Sequence, residues 1–347
     1  MRPLRPSHLR LALWLALPVA ALLGLMCGPV FLTPVDVWQA IASTVNGGPQ
    51  GRDSLILFAI RLPRLLLAAL IGVILAGAGA AMQGLFRNPL ADPSLIGVAS
   101  GASAGAGFVV VFSSIFLSSS WLGISLVSLG AFLGGFAAVL LVYKLATTDQ
   151  GTSVSTMLLA GIAISALAGA LNSLFGFFAD NDMLRRISLW QMGSLDGASW
   201  QRVSLVAFAA GVICLYLPGQ SAPLNALLLG ESEARHLGVD VERLKRRVIL
   251  ITALGVGIAV ATSGIVAFVG LMVPHWVRLL IGPDHRHLIP NALLLGALFM
   301  VVADTLARVL FLPAELPTGV LTALLGAPFF VSLLIQQRRH RYGGVLP

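Results

Sequence analysis

The chain has 347 residues, of which 57% are apolar and only 10% charged, with a mean hydropathy of +0.93. Soluble domains carry about 25% charged residues, so the composition excludes a water-soluble fold of this size. The net charge of +8 and the isoelectric point near 10.7 do not point to nucleic acid. The basic residues sit at the ends of apolar runs, and no basic stripe with interleaved aromatics occurs.

In chain order, Arg2, Arg5 and Arg10 lead into an apolar run that reaches Val30. That run exceeds the apolar core of a signal peptide, about 7–15 residues, and predicts an uncleaved first helix. Further runs follow, each near the 20 or so residues that match a bilayer core. Lipid offers the backbone no hydrogen bonds, so these runs are helices. The short alternating segments of a membrane β-barrel are absent. The expected fold is all-α and polytopic, a single domain over 1–347 with about ten spans. These are placed at 10–32, 63–84, 94–117, 121–145, 154–178, 203–218, 246–262, 264–282, 288–312 and 316–336.

The second span is dense in small residues, from Ala68 through Gly72, Gly77 and Gly79 to Ala81. Small residues let helix backbones approach closely, so this span is expected to be surrounded by others. Roughly two-thirds of the basic residues fall on one side if the N-terminus is cytoplasmic, which by the positive-inside rule puts both termini inside. Two connecting segments stand out: 31–62 on the outer side, and 219–247 on the inner side. The second holds Glu231, Glu233, Arg235, His236, Asp240, Glu242, Arg243 and Lys245. It predicts one or two short helices with a break at Gly238 and a docking surface.

Catalytic signatures are missing. The two lysines, Lys144 and Lys245, follow no glycine, so there is no Gly-Lys-Ser/Thr loop to cradle phosphates. Neither HExxH nor GxSxG occurs. Cys27 and Cys214 have no metal spacing and are expected as packing residues. His285-Arg286-His287 is expected as a basic cap on a span, since two histidines make a poor metal site.

Residues 83–97 read Gln-Gly-Leu-Phe-Arg-Asn-Pro-Leu-Ala-Asp-Pro-Ser-Leu-Ile-Gly. With Arg61-Leu62-Pro63-Arg64, Leu229-Gly230-Glu231, Ala234 to Gly238, Gly270 to His275, Ala303-Asp304, Ala307-Arg308, Glu315 to Gly319 and Gly326-Ala327-Pro328, this resembles the FecCD family. These are permease subunits of type II ABC importers for iron-siderophores, haem and cobalamin. The likeness covers roughly residues 55–337. The physics agrees at 88–93, where Asn88-Pro89 and Asp92-Pro93 stop a helix because each proline disfavours helix in the residue before it.

The resemblance implies ten helices per chain, a homodimer with a pathway on its axis, and a bacterial inner-membrane location. It implies two ABC ATPase subunits on the cytoplasmic side and a periplasmic substrate-binding protein outside. The chain itself would bind no cofactor; ATP and Mg²⁺ would be used by the partner ATPase. Glu231, Ser232, Glu233, Arg235, His236, Leu237 and Gly238 match the family's ATPase-coupling element. Arg61, Arg64 and Arg308 match arginines that dock the binding protein, with interfacial anchoring as the alternative. Ser153, Ser155 and Thr156 match the stretch where the family constricts its pathway.

The wording of 82–93 is closer to haem permeases than to siderophore permeases, with cobalamin permeases also close. Asp180, Arg185 and Arg186 follow the fifth span on the outer side, and arginine suits the two carboxylates of haem. Cobalamin or a ferric siderophore remains an alternative cargo. A channel or an ion-coupled carrier is the alternative class; it wants ionisable residues inside spans, of which Asp304 is the foremost.

Overall fold

A computed structural model describes residues 4–46, 51–116, 126–149 and 151–342. The expected span ends at 117 and 121–125 lie outside the described residues. Helices dominate: α1 (Pro6–Met26), α2 (Pro34–Val45), α3 (Arg52–Leu55), α4 (Leu62–Leu85), α5 (Val98–Phe116), α6 (Leu126–Ala146), α7 (Val154–Phe178) and α8 (Asn181–Gln191). They continue with α9 (Trp200–Tyr216), α10 (Ser221–Leu228), α11 (Glu231–His236), α12 (Val241–Ser263), α13 (Val269–Ile281), α14 (His285–Val309) and α15 (Thr318–Tyr342). A two-residue hairpin, β1 (Thr147–Thr148) with β2 (Gly151–Thr152), precedes α7. Among the described residues, six helices are long and apolar enough to cross a membrane. The apolar stretches Val98–Phe112, Val269–Ile281 and Thr318–Leu333 are shorter.

The small residues of α4 act as predicted. From Leu67 to Leu85 nearly every residue is buried, with α9, α12, α13 and α14 packed around it. A β-carbon on Gly72 would lie 2.0 Å from the Gly296 carbonyl oxygen, and one on Gly79 only 1.8 Å from that of Gly270. Such crossings form only between glycines, because hydrocarbon between helices gives no apolar drive and backbone proximity supplies the packing. A second seam joins α5 to α6, where a β-carbon on Gly105 would meet the Gly130 oxygen at 2.0 Å.

Several boundaries depart from the sequence reading, three of them for a local backbone reason. The helix expected to begin at 63 begins at Arg52, because Ile56–Arg61 is a π-helical stretch joining α3 to α4. Proline cannot donate to the carbonyl four residues back, and a π-bulge absorbs that mismatch ahead of Pro63 without ending the helix. The span expected at 94–117 becomes helical only at Val98, after a 3₁₀ turn at Pro93–Ile96 and a left-handed Gly97. The span expected at 264–282 is helical only from Val269; Gly264 (φ +70°) ends α12, and Phe268 is left-handed. Non-helical backbone at such depth is tolerated only where protein surrounds it. Here the Ser263 carbonyl accepts from the Ser194 amide at 2.8 Å, and a β-carbon on Gly264 would strike the Trp190 oxygen at 2.2 Å.

Candidate functional site: a charged pole at each end of the bundle

One pole gathers around Asp304 on α14, which is 1% exposed. Arg64 donates from Nε to both Asp304 oxygens at 3.1 Å. Its Nη1 reaches Asp196 and Glu315, each at 2.7 Å. Thr318 donates to Asp304 at 3.0 Å. Arg308 brings Nε to 3.2 Å on the other side. Its remaining nitrogens donate to the carbonyls of Gly24 (3.0 Å) and Cys27 (3.1 Å). Arg61 donates to Met26 at 2.9 Å, and to the carbonyls of Leu25 and Val30.

The last carbonyls of a helix have no partner within it and carry the negative end of its dipole. Arg61 and Arg308 thus close the C-terminus of α1, and Arg64 and Arg308 bracket Asp304.

Arg61, Arg64 and Arg308, expected from the family resemblance to dock the binding protein, lie within the bundle in the single chain. The three are 4%, 7% and 5% exposed, and each donates hydrogen bonds to groups of the same chain. Asp304 is neutralised on two sides, which suits a structural clamp better than the free carboxylate of an ion-coupled carrier. Asp196, which helps complete the cluster, carried no sequence signal, and Glu315 stood out only within a family motif; the fold brings both to Arg64.

The opposite pole is centred on Lys245, 1% exposed in the first turns of α12. Its ammonium donates to the Thr152 carbonyl at 2.7 Å, to Glu231 at 2.8 Å and to Glu242 at 3.1 Å. That accounts for all three of its donors. Glu242 also accepts the Thr152 amide at 2.9 Å. Burial pushes the Glu242 carboxyl up, but the Thr152 amide and the Lys245 ammonium more than offset it and hold it below the usual range.

Glu231 opens α11, the helix of the expected coupling element. On α11 and just beyond it, Ser232, Glu233, Arg235, His236, Leu237 and Gly238 are exposed. Leu229 and Leu237, at 68% and 64% exposure, flank it. Gly230 and Gly238 take positive φ and turn the chain at its two ends, the second where the break was expected.

Thr152 lies just before the expected gate. Ser153 caps α7, accepting from the Thr156 amide at 3.3 Å and its hydroxyl at 3.0 Å, and pairs with the Ser155 hydroxyl at 3.1 Å. Ser153 and Ser155 line an open groove of about 570 Å³ together with Arg87, Glu231 and Lys245. The sequence placed the gate and the coupling element separately. The lysine that joins them was visible only as one charge among eight.

Asp180 caps α8 by accepting the Met183 amide at 2.8 Å. Arg185 and Arg186 are exposed on α8 and make no ion pair among the described residues. A second cavity, about 430 Å³, lies between α5, α7 and α12 and includes Asp92, Ile162 and the hydrogen-bonded pair Ser100 and Ser165.

A glycine-seamed bundle of long apolar helices with a buried ionic clamp defines a multi-pass membrane protein. Residues 16–336 match the FecCD transport family, and the chain belongs to that family of ABC importer permeases. It is 45% identical over 284 residues to the hemin transport system permease protein HmuU of Yersinia pestis, covering 82% of this chain and 84% of that one. It is 38% identical over 332 residues to the vitamin B12 import system permease protein BtuC of Vibrio cholerae, covering 96% and 94%. A solved inward-facing structure of a metal-chelate type ABC transporter superposes with a TM-score of 0.82 at 33% identity, covering 95% of this chain and 99% of that one.

Proposed function

We propose that this chain is the haem-translocating permease of a bacterial inner-membrane importer, working as a homodimer with two ABC ATPases inside and a periplasmic binding protein outside. The observation that carries the ATPase side is α11, a short helix held by Lys245 beneath it while Leu229 and Leu237 stand exposed on its flanks. An exposed apolar pair beside charged residues marks a surface that a partner covers. The higher identity to a hemin permease than to a vitamin B12 permease supports haem. So do Arg185 and Arg186, whose donor forks suit two carboxylates.

The test is reconstitution in proteoliposomes with the partner ATPase and binding protein, with hemin uptake followed by its visible absorbance. ATP-dependent hemin accumulation that cobalamin does not compete away is the expected result. Cobalamin or a ferric siderophore accumulating in its place would overturn the haem assignment. ATP-independent uptake driven by an ion gradient would overturn the ABC mechanism itself. Charge reversal at Glu233 and Arg235 together is expected to release the ATPase.

A further inference from the structure

We infer that Lys245 is the strap through which the ATPase-facing helix α11 moves the gate at the start of α7. This rests on the proposed reading of α11 and goes beyond it by naming the transmitting residue. A side chain that only stabilises one element needs partners on that element. Lys245 instead spends its three protons on three elements: the hairpin (Thr152 carbonyl, 2.7 Å), α11 (Glu231, 2.8 Å) and α12 itself (Glu242, 3.1 Å).

The hairpin is held a second time by the Glu242 carboxylate on the Thr152 amide. Both backbone polar groups of Thr152, the residue before Ser153, are therefore gripped by the Glu242–Lys245 pair. From Thr152 the covalent chain runs directly into Ser153, the N-cap of α7. A β-carbon at Gly151 would approach the Glu242 carboxylate to 2.8 Å, so this turn is fitted closely around the pair.

The geometry also makes the link directional. Lys245 is buried, and its hydrogen bonds to charged partners are the strong kind. The contacts of Arg235 with Glu231 and Glu242, at 3.9 and 3.7 Å, are long and exposed and contribute little. Displacement of α11 by a partner therefore acts on Glu231 and then on the Lys245 ammonium. The ammonium either draws Thr152 with it or releases it, and in both cases the first turn of α7 responds. Lys245 is thus a positioning residue, acting on the pathway through Thr152.

Hydrogen exchange across residues 151–156 tests this in the complex with the ATPase, with and without ATP plus vanadate. In wild type, nucleotide is expected to change exchange in this stretch. In Lys245→Met and in Glu231→Gln that change is expected to vanish, and hemin moved per ATP hydrolysed to fall about tenfold, the loss of one charge-assisted hydrogen bond. Glu231→Gln keeps the Lys245 contacts to Thr152 and Glu242, so it decides the matter if Lys245→Met does not fold. Lys144→Met, at the exposed end of α6, controls for removing a lysine near the hairpin and is expected to keep the nucleotide response. A full nucleotide response in Glu231→Gln or Lys245→Met overturns the strap alone. A wild-type chain that holds no ATPase overturns the reading of α11, and the strap with it.

Discussion

Replacing Asp304 by Asn tests whether the Arg64–Asp304–Arg308 cluster is a structural clamp. The substitution keeps the shape and an acceptor oxygen for Thr318, and removes one charge. Two guanidiniums, each under a tenth exposed, then face each other across a neutral amide. Removing one partner of a buried ion pair costs about 3–5 kcal/mol, because the other charge is left uncompensated. Arg64 keeps Asp196 and Glu315 at 2.7 Å, which places the loss near the lower end. Arg308 keeps only backbone carbonyls among its hydrogen-bond acceptors besides Thr305. A loss of about 3 kcal/mol is therefore expected. Asp196→Asn is the contrast: that carboxylate is mostly exposed, and solvent-screened pairs contribute about 0–1 kcal/mol. Reversible unfolding by SDS titration in mixed micelles, followed by helical circular dichroism, measures both variants. If Asp304→Asn and Asp196→Asn lie within about 1 kcal/mol of each other, the burial argument is wrong.

The same titration separates two glycines. Gly79→Ala puts a β-carbon 1.8 Å from a carbonyl oxygen and should cost about 3 kcal/mol or prevent folding, whereas Gly211→Ala meets nothing within 4 Å and should be neutral or slightly stabilising. Cysteine at Ser155, with Cys27 and Cys214 replaced, should form a disulfide across the homodimer under mild oxidation if the gate lies at the start of α7; no crosslink in any nucleotide state would count against that placement. The hold of Glu242 on the Thr152 amide should depend on pH in one direction. The folded carboxyl lies below its ordinary value, so its contribution is complete above about pH 5 and is lost as pH falls through the depressed value. The protection factor of the Thr152 amide, corrected for intrinsic exchange, should stay flat above about pH 5 and drop only as pH falls through the depressed value; a profile that already falls above about pH 5 would refute it.

The all-helical, polytopic character followed from composition and run length, because an apolar run of span length in lipid has one way to satisfy its backbone. The burial of α4 was equally legible, since Gly72, Gly77 and Gly79 have no better use than close crossing. Gly238 announced the break after α11. The signature around Asn88-Pro89 and Asp92-Pro93, with the motifs that accompany it, carried the family.

Pairing between distant elements was decided only by the tertiary structure. Arg61, Arg64 and Arg308 are charges at span ends, and a sequence cannot tell an arginine that faces outward from one that turns in to close α1 or to hold Asp304. Burial of a charge depends on partners that lie far along the chain, here 240 residues between Arg64 and Asp304. Lys245 is the same case at the other pole. Its spacing from Glu242 is local and visible, but its contact with Thr152 joins residues 93 apart. Run length and residue type fix what a helix must do in lipid; which distant polar groups meet depends on how the helices pack, and no local pattern encodes that.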